Sequence, residues 1–100
     1  MILLTGSTGF LGTRIAEELG SRSLAWRPLG VRLDRAEPAD VEGAVIVIHC
    51  AGLVPGRSAR EREFFEVNTE GTARLLQACT RAGVRRFVNI SSMGVKIPSA

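Results

Sequence analysis

The chain has 100 residues, 45% of them hydrophobic and 23% charged, with a net charge of +3. That is the size and composition of one small globular domain and not of a disordered segment. Its composition also argues against membrane and nucleic-acid binding. No run of about 18 apolar residues exists to span a bilayer, and the apolar start Met1–Leu4 lacks the length and basic flank of a signal peptide. The arginines are scattered, and pairs such as Arg62/Glu66 and Glu70/Arg74 at i,i+4 spacing make a solvated helix face instead of a basic stripe.

In chain order, residues 2–5 form a short apolar run that stops at glycine, the pattern of a buried parallel strand. Leu11, Ile15 and Leu19 then recur at helical spacing, and Gly20 is a natural stop. Ser23 to Arg27, ended by Pro28, predicts a second strand, and Val31 to Leu33 a third. Pro38 to Gly43 leaves room for a helical turn or two. Residues 44–49, Ala-Val-Ile-Val-Ile-His, are a β-branched run covered on both faces. Ala51 to Ser58 is a loop. A long helix from about Ala59 to Ala82 follows, with Phe64, Val67, Gly71, Leu75, Ala78 and Ala82 on its inward stripe. Gly83 closes it, and Arg86 to Ser91 is the last strand.

Strands separated by helical crossovers imply an α/β fold with a doubly wound parallel sheet. The expected spatial order is 3-2-1-4-5, the first five strands of a dinucleotide-binding fold, with residues 1–100 as one incomplete domain whose second half and substrate-binding part are absent. The last strand is then an open edge, which invites pairing with a second copy. Cys50 and Cys79 sit apart inside apolar patterns, as buried thiols of a reducing cytoplasm. With a single histidine, no metal set of the usual spacing can be assembled.

The most informative segment is residues 5–12, Thr-Gly-Ser-Thr-Gly-Phe-Leu-Gly, which follows a strand and opens a helix. Gly6 permits the sharp exit from the strand, with a positive φ available to it. Gly9 lets a pyrophosphate approach the backbone, and Gly12 lets the helix pack closely. The free N–H groups of the first helical turn then face the anion.

These residues resemble the signature of the extended short-chain dehydrogenase/reductases, the NAD(P)-dependent epimerase/dehydratase group. Three further segments agree in order. His49-Cys50-Ala51-Gly52 is similar to the family's H-x-A-[AG], Val67-Asn68-Thr69-Glu70-Gly71-Thr72 to its V-N-x-x-G-T, and Arg86–Ser92 to its R-F-V-x-x-S-S. The resemblance spans residues 1 to about 95. It implies a nicotinamide dinucleotide contacted by Gly6, Thr8, Gly9, Phe10, Leu11, Gly12, Ala51, Gly52, Asn68 and Ser91, with Ser92 as the catalytic hydroxyl on the reacting substrate group. The implied activity is hydride transfer on a sugar nucleotide or small hydroxy or keto compound. A dinucleotide-binding sensor or scaffold without turnover is the alternative.

The residues read by themselves leave other roles open. His49, polar at the end of a buried strand, is a hydrogen-bonded structural residue before it is a base. Asn68 shares the helix's inward stripe, where it either braces a strand or meets cofactor or a catalytic water. Ser91 and Ser92 are not explained by packing, yet short hydroxyls also satisfy local backbone. The family's acid/base is a tyrosine in Tyr-x-x-x-Lys. This chain has no tyrosine and one lysine, Lys96, which has no such partner.

The window Leu24–Leu29, where an acid would hold the ribose 2′-hydroxyl of NAD, contains none. It holds Arg27, which either pairs a 2′-phosphate or is a solvated strand-end arginine, and this tips the expected cofactor slightly from NAD to NADP. Asp34 partly matches the family's adenine-binding aspartate and equally suits a turn or cap.

Overall fold

The structure is a computed structural model, and it describes residues 1–50 and 69–90. Four strands, β1 (Ile2–Thr5), β2 (Trp26–Pro28), β3 (Ile46–His49) and β4 (Arg86–Asn89), form one sheet in the order β2-β1-β3-β4. All three pairings are parallel, and Leu3, Val47 and Phe87 lie side by side across β1, β3 and β4. Helix α1 (Phe10–Ser21) joins β1 to β2, and α2 (Gly71–Ala82) precedes β4. The chain runs one way along the sheet from β1 to β2 and the other way from β1 to β3 and β4. Right-handed crossovers therefore put the two helices on opposite faces.

On the α2 face, Leu3 and Val47 are fully buried against Leu75, Ala78 and Cys79, with Phe87 packed at the margin. Strand alternation turns Leu4 to the other face, where it too is fully buried, and α1 contacts β1. The inward stripe of α1 is Gly12, Ile15, Ala16 and Leu19, while Leu11, expected on that stripe, is exposed. The rotation follows from Gly12, which has to face inward for reasons of space given below. Helix α2 ends at Gly83, whose φ of +79° is the left-handed cap conformation, and Val84 N–H closes the turn onto Cys79 O at 3.0 Å.

The expected third strand, Val31–Leu33, is not a strand. Leu33–Arg35 is a 3-10 turn, closed by Ala36 N–H on Leu33 O at 3.2 Å, and a second 3-10 turn spans Pro38–Val41. The reason is the core. Leu33, Ala36 and Val41 are all buried in the layer beneath α2, and helical turns place residues three apart on one side where strand alternation would separate Leu33 from Ala36. In the second turn Glu37 N–H donates to Asp40 Oδ2 at 2.9 Å, with Pro38 at the first position, where its missing N–H costs nothing. Among the described residues the sheet is thus the expected 3-2-1-4-5 order without its outermost strand. Edge position also explains how β2 accommodates Pro28, and the other edge is β4. The predicted long helix is described from Gly71 onward, and its expected first part, residues 59–68, lies outside the described residues.

Candidate functional site

In an open parallel sheet, ligands bind outside the carboxyl ends of the strands, where the chain leaves in opposite directions from neighbouring strands. Here that point lies between β1 and β3, whose last residues, Thr5 and His49, are paired in register. The glycine loop leaves β1 at this place. Gly6 has φ +70°, the left-handed region that favours glycine. Its carbonyl accepts from Gly9 N–H at 3.0 Å, which closes the loop into a tight turn. Thr13 fastens the other side. Its N–H and Oγ1 both donate to Gly9 O, at 2.9 and 2.7 Å, and Oγ1 lies 3.3 Å from Ser7 O.

The two later glycines are required for different reasons. A Cβ built on Gly12 would lie 1.7 Å from Gly6 O and 2.6 Å from Gly6 C, so the helix can approach the loop this closely only without a side chain. The close packing expected for Gly12 is therefore helix against loop backbone. Among the described residues a Cβ on Gly9 would meet only Gly6 O, at an ordinary 3.4 Å, and Gly9 is extended, with φ −79°. Nothing in the packing of the described residues demands glycine there. Among the described residues the space above Gly9 is open, as a ligand passing over the backbone would need.

Gly9 is the N-cap of α1 without a side-chain cap, and the first turn carries no acid. The first helical bond is Thr13 N–H to Gly9 O, so the amides of Phe10, Leu11 and Gly12 have no partner within the helix. Those amides and the helix dipole make a region suited to an anion. Thr8, Phe10 and Leu11 are exposed beside it, and the Arg14 guanidinium sits 5.6 Å over the Phe10 ring.

Beneath the loop runs a chain of hydrogen bonds. Cys50 N–H donates to Thr5 Oγ1 at 3.0 Å, Thr5 Oγ1 is 2.7 Å from His49 Nδ1, and His49 Nε2 is 2.8 Å from Thr72 Oγ1 in the first turn of α2. The histidine ring is buried, tilted against Phe87 with centroids 5.7 Å apart. Burial lowers its pKa below the ordinary 6.5, so the ring is neutral. Burial likewise pushes the Cys50 and Cys79 thiols up, and both cysteines are free.

Two predicted residues have other attachments. Arg27 Nη2 donates to Asp40 O at 2.9 Å and Glu42 O at 3.1 Å, in the segment that leads into the amino end of β3. These bonds use the two hydrogens of Nη2, so a 2′-phosphate would have to be met by the N–H groups on Nε and Nη1. Asp34 is exposed and ion-paired with Arg32 at 3.3 Å. Ala51, Gly52, Asn68, Ser91 and Ser92 lie outside the described residues. Thr5, Thr13 and Thr72 were not singled out by the sequence, although Thr5 and Thr72 stand inside two of its motifs. Among the described residues no cluster of His, Cys, Asp and Glu is suited to a metal, and no helix is long and apolar enough to cross a membrane.

Comparison with known proteins agrees with this geometry. The model of the NAD dependent epimerase/dehydratase family matches residues 2–96. Sterol demethylase protein B of Methylococcus capsulatus is 35% identical over 92% of the chain and 34% of its own length. UDP-glucose 4-epimerase of Vibrio cholerae is 30% identical over 94% of the chain and 35% of its own length. Among solved structures, a short-chain dehydrogenase/reductase superfamily protein from Agrobacterium tumefaciens with bound NAD superposes with a TM-score of 0.81. It is 31% identical, with 92% of this chain and 32% of that one covered. MoeE5 in complex with UDP-glucose and NAD gives a TM-score of 0.82 at 27% identity, covering 94% and 37%. The chain thus spans about a third of the length of the curated relatives it matches.

Proposed function

This chain belongs to the NAD dependent epimerase/dehydratase family, and on that premise we propose that its carboxyl sheet edge binds a nicotinamide dinucleotide, as the cofactor-holding part of an NAD(P)-dependent oxidoreductase. The observation that carries the proposal is the contrast within the glycine loop. Gly12 is demanded by the fold, whereas nothing among the described residues demands Gly9, which lies beside amides of α1 that have no partner within the helix. A pyrophosphate over Gly9, held by the amides of the first helical turn, gives that glycine its reason.

The bound dinucleotide would supply the site with a hydride acceptor or donor. The chain's own residues hold and orient it. Gly6 and Thr13 shape the loop, and Thr8, Phe10 and Leu11 flank the phosphates. Family resemblance supports Ala51 and Gly52 as the small residues over which the cofactor passes, Asn68 and Ser91 as further contacts, and Asp34 on the adenine side. It also supports Ser92 as the catalytic hydroxyl that hydrogen-bonds the reacting oxygen of a sugar nucleotide or small hydroxy or keto substrate. The matched relatives act on sugar nucleotides and sterols by their names, which supports a hydroxyl-bearing substrate. The 100 residues contain no tyrosine, so we assign them cofactor binding and the serine's hydrogen bond, not a complete acid/base set. Free Cys50 and Cys79 support a reducing, cytoplasmic setting.

The test is a titration with NADH, read by energy transfer from Trp26, the single tryptophan. Wild type is expected to bind and Gly9→Val to lose binding, with unchanged far-UV circular dichroism. Equal affinity in the two proteins would remove the phosphate from this loop.

A further inference from the structure

We propose that Thr13 is a positioning residue that stands in for a side-chain cap on α1. Its hydroxyl orders the glycine loop from the carbonyl side and so leaves the amide side to an anion. The consequence for binding rests on the dinucleotide reading, while the ordering of the loop does not.

An N-cap Ser, Thr, Asp or Asn orders the start of a helix by accepting from the N–H of the second or third helical residue. In α1 those residues are Leu11 and Gly12, and an anion at the helix start uses the same N–H groups. A side-chain cap and a phosphate therefore compete for the same donors. Gly9, the N-cap, has no side chain and takes neither. A bare glycine at this place also needs another source of order, because glycine loses more conformational freedom on folding than any other residue.

Thr13 supplies that order from the opposite side. Its Oγ1 donates to Gly9 O at 2.7 Å and lies 3.3 Å from Ser7 O, so one hydroxyl hydrogen faces two loop carbonyls. Its N–H adds the first helical bond, to Gly9 O at 2.9 Å. A threonine inside a helix commonly bonds the carbonyl four residues back, as Thr80 of α2 does to Leu76 O at 2.9 Å. Thr13 makes that bond and reaches two residues further, out of the helix and into the loop. The loop is thus held by its own turn, from Gly9 N–H to Gly6 O at 3.0 Å, and by Thr13. Both carbonyl oxygens fastened in this way are turned to the second turn of α1. Once released, the Ser7–Thr8 peptide is free to rotate, and an oxygen turned to the helix start would repel an anion there.

Thr13 is exposed, and valine matches it in shape and in helix propensity, so Thr13→Val removes the hydroxyl and little else. In the protein without ligand, Thr13→Val is expected to speed amide exchange at Gly9 about tenfold, the scale of one lost hydrogen bond. Exchange at Leu75, in the core beneath α2, should stay unchanged, and Thr13→Ser should restore the wild-type rate at Gly9. Thr13→Ala, which also lacks the hydroxyl, should act as valine does. Both hydroxyl-free variants are further expected to bind NADH several-fold more weakly, with rescue by serine. If the Gly9 amide keeps its wild-type rate in the valine and alanine variants, or if Leu75 speeds up equally, the positioning role is wrong. If the loop loosens but NADH affinity is untouched, the consequence for binding is overturned. If wild type fails to bind NADH while the exchange result holds, the dinucleotide reading fails and the ordering of the loop by Thr13 stands.

Discussion

Replacing Gly12 by alanine separates two opposed physical effects. Gly12 is the third residue of α1, and by helix propensity alone Gly→Ala there stabilises by roughly 1 kcal/mol. The structure predicts the opposite sign. The new Cβ would stand 1.7 Å from Gly6 O, against an ordinary contact of 3.4 Å. Helix and loop must separate by about the difference, and the obstacle is backbone that cannot swing aside. Overpacking of this kind costs about 1–3 kcal/mol or more, and the strained bond from Gly9 N–H to Gly6 O is worth about 1 kcal/mol. The propensity gain offsets about as much as the strained bond costs, so a net loss of about 1–3 kcal/mol is expected, a factor of roughly 5 to 150 in the folding equilibrium. Urea unfolding followed by Trp26 fluorescence measures it. Gly9→Ala is the control, because its Cβ meets Gly6 O at 3.4 Å and its φ of −79° suits any residue. That variant should unfold within ~0.5 kcal/mol of wild type. If Gly12→Ala is as stable as wild type, the close approach of α1 to the loop is not as described here.

Other expectations follow from single side chains. Arg27→Ala removes the donor to Asp40 O and Glu42 O, and should cost ~1–2 kcal/mol of folding stability while leaving the ratio of NADP to NAD affinity within about twofold. A selective fall in NADP affinity of tenfold or more would instead put Arg27 on the 2′-phosphate. For His49, burial lowers the pKa, so below about 6.5 the unfolded chain takes up a proton that the folded one does not. Its contribution to stability is therefore complete above pH 6.5 and declines as the pH falls towards the lowered folded value. The slope from one such group is at most ~1.4 kcal/mol per pH unit. Urea midpoints of wild type and His49→Gln compared between pH 7.5 and 5.5 should converge on acidification. A gap that widens refutes the sign.

What the sequence showed well were patterns contained in a few adjacent residues. The apolar run of β1, the β-branched run of β3 and the strand-glycine-helix junction are each local, and each lies where expected. Val31–Leu33 misled because three residues with apolar ends satisfy a period of two. The competing signal was Leu33 with Ala36, three apart, ahead of Pro38. It favours turns, and burial of Leu33, Ala36 and Val41 under α2 decides between them. Arg27 was read from its count along the chain. Its Nη2 partners, 13 and 15 residues away, are set by how the 3-10 segment returns towards β3, which no local count reveals.

The glycine motif itself combines two separable demands. Thr5, Gly6 and Gly12 belong to the architecture: one reaches His49 across the sheet, one turns the chain at positive φ, and one lets the helix touch the loop. Among the described residues Gly9 has no comparable duty to the fold. A motif with purely structural origins would tolerate a side chain at Gly9 as readily as the space above it does. A motif shaped by a phosphate would not. The same spacing of glycines therefore carries one position whose substitution tests binding without testing folding, and another whose substitution does the reverse. Thr13 joins the two, because its hydroxyl holds the loop by its carbonyls while the amides of α1 stay without a side-chain cap. Loss of that hydroxyl in Thr13→Val should thus loosen the loop without filling it, whereas Gly9→Val should fill it without loosening it. Gly9 amide exchange and NADH affinity, measured on both variants, distinguish these two failures.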